Sequence, residues 1–121
     1  MVLSAKDLTA KKCQPCEKGG IPFARHEAEK CLAQLEGWSL SGDTKSIWRE
    51  FAMKDFLSAV RLIDQIAERA EAENHHPDIH LTGYRKLRIE LATHSIGGLS
   101  ENDFILAAKI DALPKTLKKS A

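Results

Sequence analysis

Residues 55–91 read DFLSAVRLIDQIAERAEAENHHPDIHLTGYRKLRIEL, and within this stretch the hydrophobic period changes from helical to extended. Phe56, Val60, Ile63, Ala67 and Ala70 recur at three- and four-residue spacing, with Arg61, Asp64, Glu68 and Arg69 opposite them. That pattern predicts an amphipathic helix from Asp55 to about Asn74. Pro77 cannot continue the helix and pushes His76 toward extended geometry, while Asn74 tolerates the left-handed conformation that closes many helices. Beyond the proline, Ile79 to Thr82 reads as a short strand and Gly83 as a turn. Lys86 to Thr93 follows as a second strand, with Leu87, Ile89 and Leu91 on one face.

Upstream, Pro22 suits the first turn of a helix that carries Phe23, Ala24, Ala28, Cys31, Leu32 and Leu35, with Gly37 as its stop. The period then shortens. Trp38 and Leu40 alternate, Ser41-Gly42-Asp43 reads as a turn, and Ile47, Phe51 and Met53 share one parity, which predicts a β-hairpin. Downstream, Ser100 and Asp103 have capping-box spacing and open a last helix with Phe104, Ile105, Ala108 and Leu113 on its apolar side. The first twenty residues form a distinct lysine-rich segment with Cys13-Gln14-Pro15-Cys16, and Lys115 to Ala121 reads as a frayed tail.

The order α-β-β-α-β-β-α is an α+β pattern of two hairpins that needs no parallel crossover. A four-stranded antiparallel sheet with helices packed on one face satisfies it, and residues 1–121 fit a single domain. Such a sheet leaves its other face or an edge for a partner subunit. The charge balance, 18 Lys and Arg against 17 Asp and Glu, gives no field to draw in nucleic acid or an anionic membrane. No run approaches a signal sequence or the roughly 20 apolar residues of a membrane span, so a cytoplasmic location is expected. Three cysteines, an odd number in that setting, are expected to be reduced thiols.

Glu71, His75, His76 and His94 stand out as candidates for chemistry. On a helical wheel Glu71 falls about 20° from Val60, which predicts a carboxylate on the buried stripe. It lies four residues before His75, near the helix C-terminus, where the dipole favours imidazolium. His94 shares strand parity with Arg88 and Glu90 and is expected to point away from the apolar face. Imidazoles titrate near neutrality, so two or three in one pocket can divide general-acid and general-base duties. The bland readings are a helix-ending His-His pair before proline and, for Asp103, a cap explained by Ser100 alone.

The run Glu71-Ala72-Glu73-Asn74-His75-His76-Pro77, followed by Tyr84, His94 and Asp103, resembles the signature of the pterin-4a-carbinolamine dehydratases in residue type and spacing. The similarity extends from about Cys13 to Asp111 and takes in Gly37-Trp38 and the run Thr93-His94-Ser95-Ile96-Gly97-Gly98-Leu99. The resemblance implies the same fold, a homodimer or homotetramer, and catalysis with no metal or organic cofactor. It implies dehydration of a 4a-hydroxytetrahydropterin to the quinonoid dihydropterin in tetrahydropterin recycling, with a functional link to an aromatic amino acid hydroxylase. His75, His76 and His94 match the family's active-site histidines, and Glu71 its supporting carboxylate. Asn74, Pro77, Ile79, Thr93 and Asp103 fall where the substrate is expected. Asn74 stands where many members have Asp, and Ile79 where vertebrate members have Trp.

On this reading His75 and His94 act as acids, one for each stereoisomer, and His76 holds the ring and acts as base. Two rivals compete with it. A zinc site could draw on His75, His76, His80, His94 and the CxxC, completed by His26 or Cys31, but adjacent histidines rarely meet one metal and no second cysteine pair is present. A non-catalytic dimerisation or binding module of the same fold is the other, since vertebrate relatives also dimerise with a homeodomain transcription factor; retention of all three histidines argues for the enzyme.

Overall fold

The computed structural model describes residues 5–11 and 21–119. Helices α1 (Ala5–Ala10) and α2 (Arg25–Leu32) precede a hairpin of β1 (Ser39–Leu40) and β2 (Ile47–Ala52). Helix α3 (Phe56–Glu73) leads to a second hairpin, β3 (Asp78–Thr82) and β4 (Lys86–Leu91), and a 3₁₀ turn (His94–Ile96) precedes α4 (Glu101–Ala112). The strands form one antiparallel sheet in the order β1-β2-β4-β3, so the two hairpins meet where β2 pairs with β4, Ile47 opposite Leu91 and Phe51 opposite Leu87. The α+β architecture and the four-stranded sheet expected from the period changes are present. Cys13 and Cys16 lie outside the described residues.

One face of the sheet carries Ile47, Phe51, Leu87, Ile89 and Leu91, and the helices bury them in a single core. Helix α4 is at its centre. Phe104 to Ala108 and Ile110 are all buried, so α4 is enclosed on every side, between α1 and α3 among others. Leu8 of α1 joins this core at 2% exposure, an anchorage for the N-terminal segment that its lysine-rich composition does not announce.

Helix α3 begins at Asp55, whose carboxylate accepts the Ser58 N–H at 2.8 Å, and ends at Asn74 with φ 52°. Both boundaries match the sequence reading, but the buried face does not. Ala59, Leu62, Ile66, Ala70 and Glu73 face the core, whereas Phe56 is 55% exposed and Val60 and Ile63 are only partly buried. The helix carries two overlapping apolar stripes about one residue apart, and packing on α4 selected the one ending at Glu73. Glu73 is tolerated there because Lys109 of α4 donates to it at 3.0 Å. Glu71, expected on the buried stripe, is therefore exposed.

The C-terminal segment also departs from expectation. Lys118 N–H donates to the Ala52 carbonyl at 2.8 Å, Lys54 N–H to that of Thr116 at 3.0 Å, and Leu117 bridges Met53. Residues 116–118 thus extend the pairing past the end of β2, where a frayed tail was expected.

Candidate functional site

Asn74, left-handed at the end of α3, turns the chain so that His75 N–H still reaches the Ala70 carbonyl at 3.1 Å. The turn aims the His75 ring back toward the start of α4. There His75 Nε2 lies 2.7 Å from Oδ1 of Asp103, a carboxylate with 0% exposure. The other oxygen of Asp103 accepts the Thr93 hydroxyl at 2.8 Å and the Ser100 N–H at 3.0 Å. Thr93 Oγ1 and Ser100 Oγ are 2.7 Å apart. Every partner gives Asp103 a proton to share, so its charge is met without solvent. A carboxylate only accepts, so Nε2 of His75 carries the hydrogen, and Nδ1 is the ring nitrogen left open. Asp103 therefore caps α4, as its spacing indicated, and in addition anchors a histidine.

His76 faces differently. Its Nε2 meets Glu71 Oε2 at 3.0 Å, with side chains 58% and 77% exposed respectively. Among the described residues Glu71 supports one histidine, from the solvent side. His94 does not continue β4, which ends at Leu91; Thr93 instead bridges Gly98, and His94 opens the 3₁₀ turn between them. Gly97, at φ 69°, closes that turn, a conformation that suits glycine.

His76, His94 and Thr93 line one cavity of about 310 Å³ at the end of the sheet. That volume is at the lower end of the roughly 300–1,000 Å³ typical of small-molecule pockets. Asp78 and Glu90 line it from the sheet face turned away from the helices, and Lys45, Ser46, Gly97 and Gly98 complete its rim. His75 lies outside this lining, with its side chain 11% exposed and Thr93 shared between the two groups through Asp103.

The other expected site residues are dispersed. Ile79 has the parity of Leu81, pairs with Ile89, and packs on the core, so its neighbours Asp78 and His80 occupy the open face instead. Asn74 is exposed at the helix end, Pro77 is half-buried, and neither lines the cavity. Tyr84 sits in the β3–β4 turn with φ 56°, six residues after Asp78 and beyond the far end of a strand about 13 Å long. Lys45, Asp78 and Glu90 were missed. Strand parity offered a signal for the last two, since both alternate away from the apolar positions.

A second polar cluster lies between the first hairpin and α4. Trp38 Nε1 donates to both oxygens of Asp111 at 3.0 and 2.9 Å, and Arg49 Nη1 donates to Oδ1 at 2.9 Å and to the Glu36 carbonyl at 3.0 Å. Burial pushes the Asp111 carboxyl above its ordinary value, against the pull of Trp38 and Arg49. This group ties β1 and β2 to α4.

The chain has recognisable relatives among known proteins. The family described as pterin 4 alpha carbinolamine dehydratase matches residues 21–113. A Halorhodospira halophila protein with the provisional name pterin-4-alpha-carbinolamine dehydratase is 49% identical over 106 residues, covering 88% of this chain and 96% of the relative. One from Nitrosomonas europaea, with the same provisional name, is 50% identical over 111 residues, covering 91% and 96%. The crystal structure of a transcriptional coactivator/pterin dehydratase from Brucella melitensis superimposes with a TM-score of 0.71 at 34% identity, covering 75% of this chain and 96% of that one. The family match, the relatives and the shared fold together show that the chain belongs to the pterin 4 alpha carbinolamine dehydratase family.

Proposed function

We propose that this chain dehydrates a pterin 4a-carbinolamine to a quinonoid dihydropterin by histidine acid–base chemistry, as a step in tetrahydropterin recycling. The observation that carries the proposal is the convergence of His76 and His94 on one cavity, with His75 held behind it by buried Asp103. The reaction needs a proton on the departing hydroxyl and loss of one from a ring nitrogen, so proton donors and acceptors near neutrality suffice.

His94, on the 3₁₀ turn over the cavity, is assigned the acid that protonates the 4a-hydroxyl as the ring lone pair expels water. His76 is assigned the base and ring-holding role, oriented by Glu71. His75 is the second acid: with its Nε2–H held on Asp103 it donates as the imidazolium, through Nδ1, and its residual 11% exposure leaves room for that nitrogen to meet a bound ligand. Asp103 and Thr93 position it. General acid and base steps contribute about 10²- to 10⁴-fold each. No metal or organic cofactor takes part in this scheme.

We further propose a cytoplasmic homodimer or homotetramer that serves an aromatic amino acid hydroxylase. Phe56 and Leu57, each 55% exposed on α3, give the assembly apolar surface to cover. Among the described residues no helix is long and apolar enough to cross a membrane. The double description of the Brucella protein supports a second reading, a binding module of the same fold. Following synthetic 4a-hydroxytetrahydropterin by ultraviolet absorbance separates the two. Acceleration over the spontaneous rate supports the enzyme, and an unchanged rate supports the binding module.

A further inference from the structure

The loop between β1 and β2 brings Lys45 to the rim of the cavity that holds His76 and His94. That loop is tied internally. Ser41 N–H donates to the Ser46 carbonyl at 2.9 Å, and Ser46 N–H returns to Ser41 Oγ at 3.0 Å. The Ser41 hydroxyl and the Lys45 N–H both donate to Asp43 Oδ1, at 2.7 and 3.0 Å. Arg25 of α2 holds Thr44 Oγ1 at 3.3 Å from outside. The backbone thus presents Lys45 from a fixed place, while its side chain is exposed and forms no ion pair with another described residue.

The opposite wall has the other sign. Asp78 and Glu90 face one another across β3 and β4, and Glu90 is already paired with Arg88 at 2.7 Å. Asp78 pairs with Glu90 and Glu90 with Trp48, so Lys45 stands two strand spacings across and three residues further along, about 14 Å between backbones, which the long Lys45 side chain shortens. A fused two-ring ligand with a short substituent spans such a distance. An anionic substituent is repelled at the Asp78 end and attracted at the Lys45 end, which also fixes which way round the ring lies.

We infer that Lys45 is a specificity determinant that favours pterins whose six-position substituent is anionic over those with a neutral one. This inference rests on the pterin reading of the cavity. A partly exposed charge pair is worth up to about fivefold in affinity, and a reversed charge replaces that gain by repulsion.

The test is a fluorescence titration of the wild type, Lys45→Ala and Lys45→Glu with 6-carboxypterin and 6-hydroxymethylpterin, which share one ring and differ in the charge of the substituent. Binding of 6-carboxypterin about fivefold tighter in the wild type, equal binding in Lys45→Ala and reversed preference in Lys45→Glu support the inference. Equal ratios in all three proteins, or no binding of either pterin, overturn it. Carbinolamine turnover on the same samples keeps the two ideas apart. A wild type with the expected binding ratio but no turnover refutes the dehydratase reading and supports the role of Lys45, whereas full turnover with a ratio insensitive to Lys45 refutes only the role of Lys45.

Discussion

Nε2 of His75 lies 2.7 Å from Oδ1 of Asp103, a carboxylate enclosed by the protein and also bonded to Thr93 and Ser100. Of the two carboxylates that touch the histidine pair, this is the one shielded from water, so its hold on the ring is the stronger. Changing Asp103→Asn keeps the volume but removes the charge that fixes the tautomer. We expect turnover to fall by about 10²-fold while the protein remains folded. Steady-state kinetics and circular dichroism on one preparation check this, and unchanged turnover counts against the dyad.

Glu71 offers the contrasting case. It is 77% exposed and, among the described residues, its carboxylate meets His76 alone. Exposed ion pairs contribute little, so Glu71→Gln is expected to alter kcat/KM by less than about fivefold. A loss as large as that for Asp103→Asn shows that His76 needs its carboxylate as much as His75 does.

The difference between these carboxylates shows what the sequence could convey. The capping-box spacing located Asp103 in chain and in structure, but a local pattern carries no information about a histidine 28 residues away. The wheel placed Glu71 near Val60 correctly, yet the choice between two adjacent apolar stripes on α3 was made by α4, which only tertiary packing brings there. Strand parity served better. It put Leu87, Ile89 and Leu91 on the apolar face and Arg88 and Glu90 opposite them, because a period of two is a property of the backbone. His94 escaped it, since β4 ends before the residue and a glycine-closed turn takes over. The family resemblance drew together His75, His76, His94 and Asp103, which no periodicity joins.

Gly98 sets the height of that turn. A Cβ there would stand 2.7 Å from Cβ of Pro22, and the neighbouring Leu99 carbonyl accepts the Phe23 N–H at 2.8 Å, so neither segment can move aside freely. Gly98→Ala is expected to cost about 1–3 kcal/mol of stability. Chemical denaturation measures this directly; a neutral effect shows that the Pro22 segment yields.

Acid stability tests the Asp111 cluster. With its folded-state carboxyl raised by burial, Asp111 binds more protons folded than unfolded between the ordinary carboxylate value and the raised one. Its contribution to stability therefore increases as pH falls through that window, and is smallest at neutral pH. Asp111→Asn lacks this response, so the stability of the wild type relative to the variant should grow on acidification from pH 7 toward 4. Parallel urea titrations at several pH values report the gap, and one that narrows contradicts the assigned direction.

The central claim is that His94, facing the cavity, is a proton donor in carbinolamine dehydration. Its most direct test is the turnover of 4a-hydroxytetrahydropterin by wild type and His94→Ala, with melting temperature measured on the same samples. His94 is exposed, so its removal leaves no buried group orphaned. We expect the wild type to accelerate dehydration and the variant to be about 10²-fold slower at an unchanged melting temperature. A variant that matches the wild type in turnover per folded molecule, or a wild type no faster than the spontaneous reaction, would contradict the account.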